Sequence, residues 1–359
     1  TGELWWDDLG LGLHAAAGLQ DAWTPGAEPT GWLATSVCWA GVRDAPGPST
    51  LHPREGNLRR HSGHKGNFGD VWALGGAAGM EGALVLAARA ALAAGAGRVH
   101  ACALSAQAAH GLATQPAVMY RAPGTAPTTS ALTQTVWLAG CGGGTAVAEH
   151  LPPLLAQARR LVLDADALNA VAAQPALQDA LSARQQGGLQ TVLTPHPLEA
   201  ARLLGTTTHA VQADRWAAVR ALARRYRAVA VLKGSGTLVC RPDGVPWANG
   251  SGNAALATAG TGDVLAGWLA GCWARTPETA HPPQATLAIA QAAVWQHGQA
   301  ADAWQQAGYQ GPLLASELIL WLQGLPRALT AQQTATPVCS GSVQALPALR
   351  PDANGLSKR

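Results

Sequence analysis

Asp263 stands in "AGTGDVLAG" (259–267), directly after Gly260-Thr261-Gly262 and directly before an apolar run. A helix start is the expected setting, and it gives this carboxylate two possible uses. As a first-turn acid it opposes the positive end of the helix dipole, worth ~0.3–1 kcal/mol. As a base it would act on a substrate held at the free amides of a glycine-rich helix start, which form an anion site. The stretch alone leaves both open. Other residues able to do chemistry follow short apolar runs: "GGAAGMEGA" (75–83), "GCGGGT" (140–145), "DADALN" (164–169), "TPHPLE" (194–199) and "KGSGT" (233–237). Asp164 and Asp166 have side chains that cap a following helix or serve a site. His196 lies between Pro195 and Pro197 in a stiff loop, either solvated or held for ligand contact. Lys233 opens a turn that presents backbone amides to a phosphate, or is simply an exposed turn lysine. Asn249 and Asn253 precede the GTGD turn and can cap it or orient a ligand. No GxxxxGK[ST] occurs, and no GxGxxG follows the first strand, which excludes a P-loop and a Rossmann fingerprint.

The apolar runs are the strands that must position these residues. Val71–Leu74, Val99–Ala103, Val136–Ala139, Leu161–Leu163, Thr191–Leu193 and Val229–Leu232 read as strands, with helical patterns at Gly82–Ala94, Pro197–Leu204 and Val211–Tyr226 between them. Strands alternating with helices imply a mainly parallel, covered sheet, an α/β layered fold. Ligands in such sheets gather at the carboxyl ends of the strands, where the unusual residues fall. Runs at 237–240 and 245–248, joined through Pro242-Asp243-Gly244, predict a hairpin on one edge. Residues 263–323 read as three helices. The segment 11–60, rich in Gly, Pro, Ala and Thr, reads as a linker with at most a short strand at 32–37, and 326–359 as a disordered tail.

At 359 residues, 48% hydrophobic and 13% charged, the chain suffices for one large domain with appendages or two modest ones. A formal net charge of +3 gives no electrostatic case for nucleic acid or an anionic membrane as partner. Glu81 and Arg89 interrupt the apolar stretch 77–97, and Asp263 interrupts 254–274. Neither reaches the roughly 18 apolar residues of a membrane span. The start, "TGELWWDDLG", is acidic and lacks Met, which reads as a fragment or processed product without a signal peptide. The cysteines (Cys38, Cys102, Cys141, Cys240, Cys272, Cys339) show no metal-ligand spacing and read as reduced thiols of a cytoplasmic protein. Lysine occurs only as Lys65, Lys233 and Lys358 against a majority of arginine. A lysine retained in a glycine-rich turn points to a place that suits a compact ammonium.

In their order, "HKGNFGDVWALGGAAGMEGALVLAARAALAAGAGRV" (64–99), "DADALN", "LTPHPLEAARLLG", "VLKGSGTLV" and "NGSGNAALATAGTGDVLAGWLAG" closely resemble the ADP-dependent NAD(P)H-hydrate dehydratases. "AVWQHGQAAD" (293–302) is similar to that family's late helix. The resemblance covers about 61–325, while 2–11 resembles the end of the epimerase domain that many bacterial members carry upstream. It implies a ribokinase-like, three-layer α/β/α fold with helices on both faces of a mainly parallel sheet. It also implies four regions: 1–10 as the end of a truncated epimerase domain, 11–60 as linker, 61–325 as the dehydratase domain and 326–359 as tail. The implied activity is hydro-lyase repair of the S-epimer of hydrated NADH or NADPH, with ADP as phosphoryl donor, ATP being the alternative, and Mg²⁺ bridging the phosphates. Asp263 would then accept the ring hydroxyl's proton, with the Ala259–Gly262 amides, Gly260 and Gly262 among them, stabilising the transferring phosphoryl. Lys233, Gly234, Ser235, Gly236, Thr237 and Gly262 would contact the nucleotide. Ala83, Gly142, Gly144, His196 and Asp263 would face the hydrated cofactor. Small molecules are the implied partners, in a cytoplasmic homo-oligomer such as the tetramers of relatives.

One departure stands out. Gly140-Cys141-Gly142-Gly143-Gly144 replaces the family's usual Gly-Pro-Gly-Leu-Gly, which predicts a floppier loop and a higher entropy cost on folding. GTGD alone equally fits a small-molecule kinase of the same fold, and a nucleotide-binding sensor without turnover is the reading from another class. "DADALN" together with "TPHPLE" favours the dehydratase.

Overall fold

A computed structural model describes residues 32–34, 63–122, 128–276 and 283–324. In chain order the strands are β1 (Trp32–Ala34), β2 (Asp70–Gly75), β3 (Arg98–Ala103), β4 (Met119–Arg121) and β5 (Val136–Ala139). They continue as β6 (Arg160–Leu163), β7 (Gln190–Leu193), β8 (Val229–Leu232), β9 (Leu238–Cys240) and β10 (Trp247–Asn249). All join one sheet in the order β1-β10-β9-β8-β7-β6-β5-β2-β3-β4. Every pairing is parallel except the two that β9 makes, with β8 and with β10. The chain moves outward from β2 to β3 and β4, then returns to β5 on the other side of β2. That reversal opens a crevice above the carboxyl ends of β2 and β5, the place where open α/β sheets bind ligands.

Alternation along the strands builds two cores. Val71, Ala73, Val136, Leu138 and Val231 face one way, and Leu74, Trp137, Ala139, Leu163 and Leu232 face the other, all buried. On the first face lie α1 (Glu81–Ala93), α10 (Thr261–Ala274), α11 (Pro283–Gln306) and α12 (Ala315–Leu322). On the second lie α4 (Leu151–Gln157), α5 (Ala165–Ala173), α6 (Pro175–Ala183), α7 (Pro197–Leu204) and α9 (Arg215–Tyr226). The short helices α2 (Ala108–Ala113), α3 (Thr129–Gln134) and α8 (Thr208–Ala213) complete the set. The result is a three-layer α/β/α fold with helices on both faces.

Small residues let α10 lie directly on α1. A Cβ at Gly267 would meet the Ala87 carbonyl oxygen at 2.1 Å, and one at Gly271 would meet that of Ala91 at 2.3 Å. The alanine run of α1 and the four-residue glycine spacing of α10 are therefore one packing device, and it fixes where the first turn of α10, carrying Asp263, sits above the sheet. Gly267→Ala forces backbone apart and is expected to cost about 1–3 kcal/mol, the scale of overpacking. Thermal denaturation should show a lowered melting temperature; an unchanged one would mean the helices separate freely.

Three expectations need correction. The hairpin of β9 and β10 is not at the sheet edge, because β1 pairs in parallel with β10 outside it. That strand, Trp32–Ala34, is the short one allowed at 32–37 within the 11–60 segment; its pairing with β10 is what was not foreseen. The helix expected over 211–226 is two helices, broken at Asp214, whose carboxylate accepts the Ala217 amide at 2.8 Å and caps α9. An edge strand, β4, was not expected at all. The expectations for 1–10, for 326–359, and for Cys38 and Cys339 fall outside the described residues. The four described cysteines are buried free thiols, and no described helix is long and apolar enough to cross a membrane.

Candidate active site

The loops after β2, β5, β6, β7 and β8 converge above the sheet. The 140–144 loop crosses the one that follows β2: Gly76 and Ala77 donate their amides to the carbonyls of Cys141 (3.0 Å) and Gly142 (2.7 Å). Gly140 donates to the Leu74 carbonyl at 3.0 Å and Gly143 to that of Gly140 at 2.9 Å, while the Gly144 amide reaches Asp166 Oδ2 at 2.8 Å. Every residue of the loop is tied down. The extra freedom expected of this glycine run therefore belongs to the unfolded chain. Glycine is needed here for close approach: a Cβ at Gly140 would lie 1.9 Å from the Asp164 carbonyl, and one at Gly142 would lie 2.9 Å from the Ala83 Cβ. Ala83, Gly142 and Gly144 are thus brought together.

Asp164 and Asp166 do not cap α5 with their side chains, contrary to the capping alternative. Asp164 is buried and accepts from Lys233 Nζ and from Thr194 Oγ1, each at 2.7 Å from Oδ1. Asp166 instead pins the Gly144 amide. Between them Ala165 holds φ +45°, a left-handed conformation costly for a residue with a Cβ. Strain of that kind persists where surroundings over-determine it, and here the cross-sheet partners of its two neighbours do so.

His196 is the N-cap of α7. Its Nδ1 accepts the amides of Leu198 and Glu199 at 3.2 Å each, and Glu199 returns the bond by accepting the His196 amide at 2.8 Å. With Nδ1 occupied as an acceptor, the ring proton lies on Nε2, 3.1 Å from Glu199 Oε1. Burial, with Lys233 nearby, lowers the imidazole pKa, so the ring is neutral near pH 7. Its exposed ring face is the surface a ligand would meet. Glu199, which the sequence did not single out, is buried, and its pKa is pushed up to about 7 by burial against the opposing pull of Lys233. The H-x-x-E spacing of a capping box was the available signal.

Lys233 turns its ammonium inward, onto Asp164, with Glu199 Oε2 at 4.0 Å. Burial opposes its charge, but Asp164 and Glu199 outweigh that, and its pKa is raised. A Cβ at Gly262 would lie 3.5 Å from this ammonium, so the first turn of α10 faces it. Gly234, Ser235, Gly236 and Thr237 form the rest of the turn, with Gly234 and Ser235 exposed. Gly260, at φ +89°, is the N-cap of α10. Asp263 projects from that first turn toward Cys141 and Asp164, its pKa pushed up to about 6 by burial and by the negative charge of Asp164. Burial and the same two carboxylates drive the Cys141 thiol well above its ordinary range. It is a proton-bearing neighbour, not a nucleophile.

The start of α10 is held from below. His297, buried in α11, donates from Nε2 to the Thr261 carbonyl at 3.0 Å, and burial drives its pKa down to about 4. One turn on, Asp302 accepts the Gly252 amide (2.8 Å) and the Asn253 side-chain amide (3.0 Å). Asn253 caps only the short 3-10 turn at Ala254–Leu256, and Asn249 bonds Ser251, so neither caps the GTGD turn. "AVWQHGQAAD" is thus the scaffold of the glycine-rich loop.

Among the described residues one trio of metal-ligating side chains occurs: Cys141, Asp164 and Asp263, with donor atoms within 4.8 Å of one another. It does not fit Mg²⁺. The thiol is a soft ligand, and Asp164 Oδ1 is already committed to Lys233 and Thr194.

A half-buried carboxylate near an ammonium, at the amide end of a helix and across from a glycine loop, suits proton abstraction coupled to phosphoryl transfer. Comparison with known proteins agrees. The Carb_kinase family model, described as NAD(P)H-hydrate dehydratase, matches residues 71–323. An ADP-dependent (S)-NAD(P)H-hydrate dehydratase from Neisseria meningitidis is 40% identical over 276 residues, which is 74% of this chain and 88% of that protein. A bifunctional NAD(P)H-hydrate repair enzyme from Moorella thermoacetica is 36% identical, matching 79% of this chain but only 54% of its own length. The chain thus spans about half of that bifunctional relative. Among solved structures, the ADP/ATP-dependent NAD(P)H-hydrate dehydratase of Bacillus subtilis, co-crystallised with ATP/Mg²⁺, is 27% identical. It has a TM-score of 0.62 and covers 80% of this chain and 99% of its own. A ribokinase-like protein from Enterococcus faecalis, 23% identical with a TM-score of 0.64, shares the fold. The crossing glycine loops, the acid cluster and the matched span lead to one conclusion: this chain belongs to the NAD(P)H-hydrate dehydratase family.

Proposed function

We propose that the chain dehydrates the S-epimer of hydrated NADH or NADPH, using ADP as phosphoryl donor and releasing AMP and phosphate. The ring hydroxyl is a poor leaving group. Its oxygen attacks the terminal phosphoryl of ADP, the bond to AMP breaks, and the hydroxyl proton passes to Asp263. Phosphate then leaves the ring carbon that bore the hydroxyl while the adjacent ring carbon gives up a proton, taken by the departing phosphate or by water, and the C–H electron pair restores the ring double bond. The observation that carries this reading is the placement of Asp263: a half-buried carboxylate at the amide end of α10, with its pKa raised to about 6, is ionised at neutral pH yet basic enough to take a proton.

Each neighbour has a part in it. The amides of Gly260 and Gly262 lie where phosphoryl charge develops. Lys233–Thr237 and Gly262 take the nucleotide, while Ala83, Gly142, Gly144 and the exposed face of His196 take the hydrated ring. The described residues provide no cage for Mg²⁺, which would arrive on the phosphates of the nucleotide. The same reading takes small molecules as partners, places the enzyme in the cytoplasm and expects copies of the chain to associate.

Absorbance at 340 nm tests it. Purified chain supplied with hydrated NADH should restore absorbance when ADP is added and not without it. Failure with ADP and ATP alike would remove the proposal.

A further inference from the structure

Arg215 is the first residue of α9, the helix that leads into β8 and the turn it grips. Its Nη1 donates to the Ser235 carbonyl, and its Nη2 lies 3.3 Å from the Leu232 carbonyl and 3.4 Å from that of Lys233. The Gly234 carbonyl is taken by Thr237 Oγ1 at 3.0 Å. The carbonyls of residues 232–235 are therefore all occupied. In a trans peptide the N–H points opposite its carbonyl. Arg215 draws the carbonyls of 233 and 235 to its own side, which turns the amides of Gly234 and Gly236 the other way, an arrangement suited to an anion.

The charge is as informative as the geometry. Arg215 has no carboxylate within ion-pair distance among the described residues, and its Nε is buried without a partner. Burial lowers its pKa, which marks the charge as uncompensated. A guanidinium held without a counter-charge behind a turn of outward amides is stabilised when an anion docks on the other side. Its fork also explains the glycine at 234: a Cβ there would lie 3.0 Å from Nη2, at a φ of +138° that side chains rarely adopt.

We propose that Arg215 is a positioning residue for the nucleotide, one that orients the KGSGT turn and supplies the positive charge behind it, so that it sets the affinity for ADP without touching the hydrated cofactor. This rests on the assignment of the 233–237 turn to the nucleotide.

The test is calorimetric titration of the full chain with ADP, alongside KM for hydrated NADH and the melting temperature. Arg215→Gln should weaken ADP binding about tenfold or more, the effect of losing charge-assisted hydrogen bonds. KM for hydrated NADH should stay within about twofold, since that pocket is formed elsewhere. Arg215→Lys keeps the charge and loses the fork, and should fall between the parent and Arg215→Gln. Added salt should weaken ADP binding more steeply in the parent than in Arg215→Gln. Equal losses for both ligands, following a fall in melting temperature, would reduce Arg215 to a structural brace and overturn the proposal. Gly236→Ala, which strains the turn directly at φ +59°, separates the two levels. If it weakens ADP binding while Arg215→Gln and Arg215→Lys do not, the role of Arg215 fails alone. If none of the three alters ADP binding, the assignment of the turn fails with it.

Discussion

Asp263→Asn is expected to fold, to bind ADP and to restore NADH at least ~10²-fold more slowly than the parent, the loss typical when a general base is removed. Asparagine keeps the shape and hydrogen-bonding reach of aspartate and removes only the capacity to take a proton. Were the carboxylate merely a first-turn acid, its replacement would forfeit a dipole contribution below ~1 kcal/mol. Even that is offset here, because burial and the Asp164 charge already work against the ionised form. A melting temperature within a few degrees of the parent is therefore expected, together with unchanged ADP titration. A variant that restores 340 nm absorbance at near-parental rate would leave Asp263 as a helix-dipole residue.

Lys233→Met is expected to move the acid limb of the rate profile upward. Activity requires ionised Asp263, so the parent loses kcat/KM as pH falls through about 6, the value to which burial and Asp164 raise this carboxyl. Lys233 opposes that rise, Asp164 and Asp166 add to it, and the Cys141 thiol opposes it through its hydrogen bond. Without the ammonium the Asp263 pKa climbs further, by about one unit or more for loss of a close opposite charge. At pH 7 a one-unit rise, from about 6 to about 7, leaves about half of Asp263 ionised, so the rate should fall about twofold and recover at pH 8 to 9. Asp164→Asn has the opposite sign: it removes a like charge, and the acid limb should shift below that of the parent. A pH profile of kcat/KM for the three proteins checks both. Parallel movement of the two variants would mean that Asp263 is not the titrating group.

Much of the sheet was legible because the strands of a covered parallel sheet are short apolar runs, and the glycine turns that end them are equally visible. Asp214 shows the limit of periodicity. The apolar pattern of 211–226 runs straight through it, yet its side chain caps a new helix. β4 was missed because "MYR" is too short and too polar at its end to announce a strand, and its place depends on pairing with β3. The position of β1 outside the hairpin is likewise set by a long-range pairing that no local pattern encodes.

The residues of the site divide in the same way. Asp263, Lys233 and the glycines were visible because their types are unusual for where they stand. Their partners were not. That Lys233 meets Asp164, that Arg215 grips the turn after β8, and that His297 supports Thr261 are contacts between different elements, which no local pattern encodes. Cys141 was noticed as a change in a loop; its position between two carboxylates appears only in three dimensions.

The central claim is that this site transfers a phosphoryl group to the hydrated cofactor and then eliminates it. The most direct measurement is the stoichiometry of products in a quenched reaction of the chain with hydrated NADH and ADP, separated by chromatography. One AMP and one phosphate should appear for each NADH restored, with no phosphorylated cofactor accumulating. A stable phosphoester with AMP but without NADH would instead make the chain a kinase, and NADH without AMP would be incompatible with phosphoryl transfer altogether.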